Sequence, residues 1–173
     1  MCTVDSFKID LNGLDNDLTV VKYRLGNDFF ETVEASDVHE GELTTTLSIR
    51  KTSEFFQFDF HTEGIVHLTC DLCLDDMEQP IETDDRLIVK LGDTYREDDE
   101  MITVAEEEGI LNVAWLIYEF IILAIPIKHV HAPGKCNATM EKLLQEHEAA
   151  RSSQTDGEEC VDPRWAKLKN LKI

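Results

Sequence analysis

The sequence predicts an α+β fold: a mainly antiparallel β-sheet packed on one long apolar helix, with a second C-terminal helix and a flexible tail. Three observations carry this expectation. Apolar and polar residues alternate with period two through much of the first 60 positions, one apolar stretch runs from Ile110 to Ile127, and the composition turns polar and small after residue 151. The organisation this implies is a single domain over 1–151, a linker over 152–161, and a short basic amphipathic tail over 162–173. At 173 residues a second large domain is not expected, and 42% hydrophobic residues suffice for a real core.

The strands come first. Leu18 and Val20 alternate with Thr19 and Val21. Leu43, Thr45, Leu47 and Ile49 alternate with Thr44, Thr46, Ser48 and Arg50, and Phe56, Phe58 and Phe60 with Gln57, Asp59 and His61. Such alternation, rich in threonine and aromatics, marks half-buried antiparallel strands. Gly64 reads as a bulge or turn. Ile65 to Thr69 is a further strand running into Cys70, and Arg86 to Leu91 is another. Between 71 and 108 the chain holds fifteen acids against three bases, which reads as a solvated loop or, more sharply, as a docking surface for a basic partner.

The helices follow. Asn112 suits an N-cap, Val113 to Ile125 is of helical length, and Pro126 ends it. Glu119 alone interrupts its apolar surface, so other elements should wrap it on most sides, and a membrane span is not expected. A second helix over about Ala138 to Ala150 places Met140, Leu143, Leu144 and His147 on one stripe.

Charge narrows the partners. The formal net charge is −20, all of it in residues 1–151, because 152–173 carries four acids and four bases. A surface this acidic repels phosphate backbones, so broad nucleic-acid binding by the body is not expected. The tail is the reverse. Arg164, Lys167, Lys169 and Lys172 flank an apolar stripe of Trp165, Leu168 and Leu171, with no acid between Pro163 and Ile173. Asp162 and Pro163 make an N-cap and first-turn pair for a recognition helix too short to hold alone in water. Arg164, Trp165, Lys167, Leu168, Lys169 and Leu171 are therefore the candidate partner-binding residues. The segment folds back on its own body, meets an external target, or stays disordered.

The chemistry lies in the cysteines. No secretory signal is readable, so five cysteines point to the reducing cytoplasm, where clustered thiols more often hold metal than form disulfides. Cys70-Asp-Leu-Cys73 stands where a strand turns into a loop, and His131-Ala-Pro-Gly-Lys-Cys136 stands in a turn after the apolar helix. Three thiols and one imidazole complete a closed tetrahedral site of structural type, which would pin the sheet to the segment leaving the helix. His129 is an alternative ligand to His131. Reduced interior thiols and a redox pair are the competing readings; Asp71, Asp75 and Asp76 speak against the redox pair by raising the thiols. Cys2 and Cys160 read as incidental, and His39, His61, His67 and His147 as surface or structural residues without a visible partner. No phosphate loop, nucleophile elbow or triad order occurs, and a closed site leaves no position for catalytic water, so no enzyme activity and no catalytic residue is expected.

The order of these features resembles a known family. A strand-rich half precedes Thr69-Cys70-Asp-Leu-Cys73-Leu74; an apolar helix ends at Leu123-Ala-Ile-Pro126; Val130-His131 and Cys136 follow, then Asp162-Pro163-Arg164-Trp165. This is similar to the YceD family of bacterial large ribosomal RNA subunit accumulation proteins, and within it to the Bacteroidetes-type members. The resemblance implies that Cys70, Cys73, His131 and Cys136 occupy the family's Cys/His positions; structural zinc is the cofactor expected from those residues themselves. It also implies a non-enzymatic, cytoplasmic role in synthesis, processing or stability of 23S ribosomal RNA. Two functional readings result: a biogenesis factor holding a basic ribosomal protein or pre-ribosomal particle, and a zinc-stabilised module that contacts RNA directly through its basic tail.

Overall fold

A computed structural model of the chain describes residues 4–14, 17–34, 38–98 and 101–147. After a 3-10 turn at Val4–Phe7 come β1 (Lys8–Asp10), β2 (Leu18–Leu25), α1 (Asn27–Thr32), β3 (Glu40–Lys51), β4 (Phe56–Thr69) and β5 (Asp76–Gly92). Then follow β6 (Arg96–Asp98), β7 (Met101–Ala105), β8 (Ile110–Asn112), α2 (Ala114–Ala124) and α3 (Ala138–His147). The class is α+β, as the sequence predicts. Six strands form one sheet in the order β2-β3-β4-β5-β7-β6, antiparallel throughout except that β7 runs parallel to β5; β1 and β8 form a separate antiparallel pair. The linker 152–161 and the tail 162–173 lie outside the described residues, as do Cys2 and Cys160.

Alternation places the core on one face of the sheet. Leu43, Leu47 and Ile49 of β3, Phe58, Phe60 and Val66 of β4, and Ile81, Leu87 and Val89 of β5 all point inward and are buried. They meet Ile117 and Ile121 of α2, and the Phe60 and Phe120 rings lie 5.2 Å apart. At the other end Phe7 stacks on Tyr23 at 4.8 Å and lies tilted against Phe29 of α1 at 5.2 Å. A polar row crosses this apolar face: the register aligns Tyr23, Thr45, Thr62 and Thr83 across four strands. The buried Thr45 and Thr62 hydroxyls bond each other at 2.8 Å, while the buried Tyr23 hydroxyl has no partner among the described residues. Burial pushes that phenol up to about 12.

Five expectations need correction. Residues 71–108 are not mainly loop, because β5, β6 and β7 lie within them. The acids of β5 other than Asp85 occupy outward positions, on the face away from buried Met77, Ile81, Leu87 and Val89. Gly64 is neither bulge nor turn: it sits in continuous register inside the 14-residue β4, paired with Leu43 and Ile81. Its φ is +149°, and a Cβ would come within 2.3 Å of the Glu42 carbonyl oxygen, so glycine serves close strand approach there.

The apolar helix is not long. α2 has 11 residues, three turns, with the Asn112 side chain accepting from the Ala114 N–H at 3.0 Å. Nor is it wrapped: Trp115 is 52% and Leu123 81% exposed, since the sheet covers one face only. Finally, His61 has a partner, Asp84, at 2.8 Å across the β4–β5 ladder. Among the described residues no helix is long and apolar enough to cross a membrane.

Candidate metal centre

The long β4–β5 hairpin ends in a tight tip at residues 70–75. Cys70 N–H donates to the Asp75 carbonyl at 2.9 Å, Leu74 N–H donates to the Cys70 carbonyl at 3.0 Å, and Leu74 takes a positive φ of 61°. This turn directs the Cys70 and Cys73 sulfurs to the same side, and both residues are buried.

The segment leaving α2 supplies the other half. Pro126 ends the helix, and the chain crosses back over the hairpin tip. Asp71 clamps it there: its N–H donates to the His129 carbonyl at 3.0 Å, and its carboxylate accepts from the His129 N–H at 2.9 Å. A turn closed by Lys135 N–H on the Ala132 carbonyl at 2.9 Å, with Gly134 at φ +77°, then brings Cys136 back toward His131. Asn137 adds a tie to the Asp75 carboxylate at 3.2 Å.

All four residues read from the sequence converge. The ligand atoms of Cys70, Cys73, His131 and Cys136 lie within 4.8 Å of one another. The Cys70 and Cys136 sulfurs are 3.9 Å apart, and His131 Nδ1 is 3.3 Å from Cys73 Sγ and 3.9 Å from Cys136 Sγ. Tetrahedral coordination at ordinary zinc bond lengths needs edges of roughly 3.8 Å between sulfurs and 3.6 Å between sulfur and nitrogen. The set fits a metal ion of that size. The ring's far nitrogen, Nε2, donates to the Asp76 carbonyl at 3.2 Å, which leaves the Nδ1 lone pair facing the thiols. His129 is elsewhere: its Nδ1 faces the Pro126 carbonyl at 3.2 Å and its Nε2 faces Asp71 at 3.6 Å.

The electrostatics run against the expectation that nearby acids raise every thiol. Burial does raise Cys70, but the backbone N–H groups of Cys73, His131 and Leu72 turned toward its sulfur outweigh burial and bring the thiol below its ordinary range. Asp71 and Asp75 are instead engaged by His129 and Asn137. Cys136 moves the other way, raised by burial and then by its contacts with Cys70 and Cys73. A cation bound there would draw protons from the thiols that still hold them.

The two short spacings in the sequence picked out the four side chains that converge, with His129 as the alternative to His131. They did not reveal the supports, because the Asp76 carbonyl is backbone and carries no residue signature. Asp71 also read as charge when the carboxylate is a clamp. The candidate tail residues Arg164, Trp165, Lys167, Leu168, Lys169 and Leu171 lie outside the described residues.

Comparison with protein families gives a match. The model of the YceD family, described as large ribosomal RNA subunit accumulation protein, matches residues 58–172, about two thirds of the chain. No match was found among curated proteins, and none among solved structures. The matched span begins in β4, contains the hairpin tip and all four converging side chains, and runs through the basic tail. The chain belongs to the YceD family.

Proposed function

We propose that the chain is a non-enzymatic, cytoplasmic factor that supports 23S ribosomal RNA accumulation and large-subunit biogenesis by binding a basic ribosomal protein or an assembly intermediate. The family match over 58–172 carries this reading. Within it, Cys70, Cys73, His131 and Cys136 hold a structural zinc: three soft thiolates and an imidazole suit that metal, and four protein ligands close its coordination. The metal ties the β4–β5 hairpin tip to the segment between α2 and α3.

The outer sheet face supports a basic partner. Glu63 stands directly opposite Glu82, with Asp84 adjacent on β5. Like charges placed directly opposite cost stability, so the fold itself gains nothing from the pair. A cationic surface docked there turns the repulsion into attraction. A second reading rests on the tail, whose four bases and one tryptophan suit direct RNA contact.

Affinity purification from cells at moderate salt, with and without nuclease, tests the proposal. Large-subunit proteins should co-purify and survive nuclease. Association lost with nuclease favours the direct RNA reading, and absence of any ribosomal component contradicts both.

A further inference from the structure

The exposed face of α2, the edge strand β6 and its neighbour β7 enclose an open groove of about 540 Å³. Its apolar lining includes Ile102, Trp115 and Leu123, and Glu97, Asp98 and Glu119 also line it. Leu123 is 81% and Trp115 52% exposed, in a chain whose net charge is −20. The Trp115 indole N–H donates to Glu119 at 2.8 Å, and the Tyr95 hydroxyl donates to Glu97 at 3.2 Å. Asp98 is paired with Arg96 at 3.1 Å, but Glu97 and Glu119 have no cationic partner among the described residues. The two carboxylates act on one place: the Tyr95 phenol is raised by burial, then by Glu97, and also by Glu119.

We propose that segment 163–173 of the same chain docks in this groove as a short helix lying along α2. The segment lies outside the described residues, and its sequence is the groove's complement. Trp165, Leu168 and Leu171 recur every third position, flanked by Arg164, Lys167, Lys169 and Lys172, with no acid from Pro163 to Ile173. As a helix its eleven residues extend about 16 Å, which equals the length of α2 at the same rise per residue. The fifteen residues 148–162 reach about 50 Å when extended, about three times the length of α2. Apolar burial against Trp115 and Leu123 supplies the contact, and the lysines and arginine face Glu97 and Glu119. Docked this way, the one basic, aromatic segment of the chain is held on its own surface until a partner competes for either side.

Hydrogen exchange of the full-length protein, read by mass spectrometry over 164–173, tests the placement. The segment should exchange about tenfold or more slowly in the natural chain than in L123D, with α2 equally protected in both. Leu123 is 81% exposed, so its replacement should leave the core intact. The double variant E97Q/E119Q, which leaves the apolar face untouched, should also speed exchange severalfold. Three results overturn the proposal: no protection in the natural chain, protection that survives both variants, or protection lost instead in L144D, which would put the segment on the exposed Leu143 and Leu144 stripe of α3. Protection that fades on tenfold dilution would assign the groove to a second copy and overturns it equally.

Discussion

His131 Nδ1 lies 3.3 Å from Cys73 Sγ, although 58 residues separate the two in the chain. The contact joins the tip of one hairpin to the segment that leaves α2. It depends on two backbone events, a positive φ at Leu74 that tightens the tip and the Asp71 clamp on His129. Cys136 then closes the set from the same segment as His131.

The neighbouring histidines give the first prediction. His129 Nδ1 faces the Pro126 carbonyl, whereas His131 Nδ1 faces two sulfurs. Competition with a chromophoric chelator should show metal affinity reduced more than about tenfold by His131→Ala, beyond what many outer-sphere changes produce. His129→Ala should stay closer to the natural chain. The reverse order would exchange the two assignments.

A second prediction concerns the polar row. The Thr45 and Thr62 hydroxyls are buried and bonded only to each other by the distances described, 2.8 Å apart. Thr45→Val or Thr62→Val alone strands the other hydroxyl and should cost about 1–2 kcal/mol in urea unfolding. The double variant should recover much of that loss, since it removes both polar groups. Tyr23→Phe should cost nothing or stabilise slightly, because the Tyr23 hydroxyl has no partner among the described residues. Additive losses in the double variant would show that the hydroxyls do not act as a pair.

The third prediction is a pH dependence. The hydrogen bond to Asp84 raises the His61 imidazole above its ordinary value; slight desolvation opposes this, and the charges of Asp84, Glu63 and Glu82 add to the rise. A folded value above the unfolded one means the pair stabilises fully below about pH 6.5 and loses that contribution as pH rises through the folded value. NMR titration should place the His61 midpoint above that of Asp84→Asn. The stability difference between the two proteins should shrink as the solution becomes alkaline. An unchanged midpoint in the variant would remove Asp84 as the cause.

Much of this was written plainly in the sequence, and the exceptions have physical causes. The strands β3 and β4 were legible because Leu43, Leu47, Ile49, Phe56, Phe58 and Phe60 hold strict alternation. The 17-residue β5 was legible only from Arg86 onward: Gln79, Thr83 and Asp85 take inward positions, so the period-two signal fades, and outward acids imitate a loop. β7 was hidden by the acids on either side of it, although its own Ile102 and Val104 are buried. The position of α2 was readable to within a residue from Asn112 and Pro126, but its exposed face was not, because an apolar residue carries no mark of whether another layer covers it. The ligand set was legible because coordination imposes short, recognisable spacing. The carbonyl and carboxylate supports around it follow from tertiary approach alone.

One metal ion, on the proposed reading, joins the hairpin tip to the segment leaving α2. Elemental analysis of the full-length protein, purified without chelator or nickel, should find one zinc per chain, lost on Cys70→Ser or Cys136→Ser. Protein without zinc that takes none up on exposure to it, with all four side chains intact and reduced, would show that no such ion joins them.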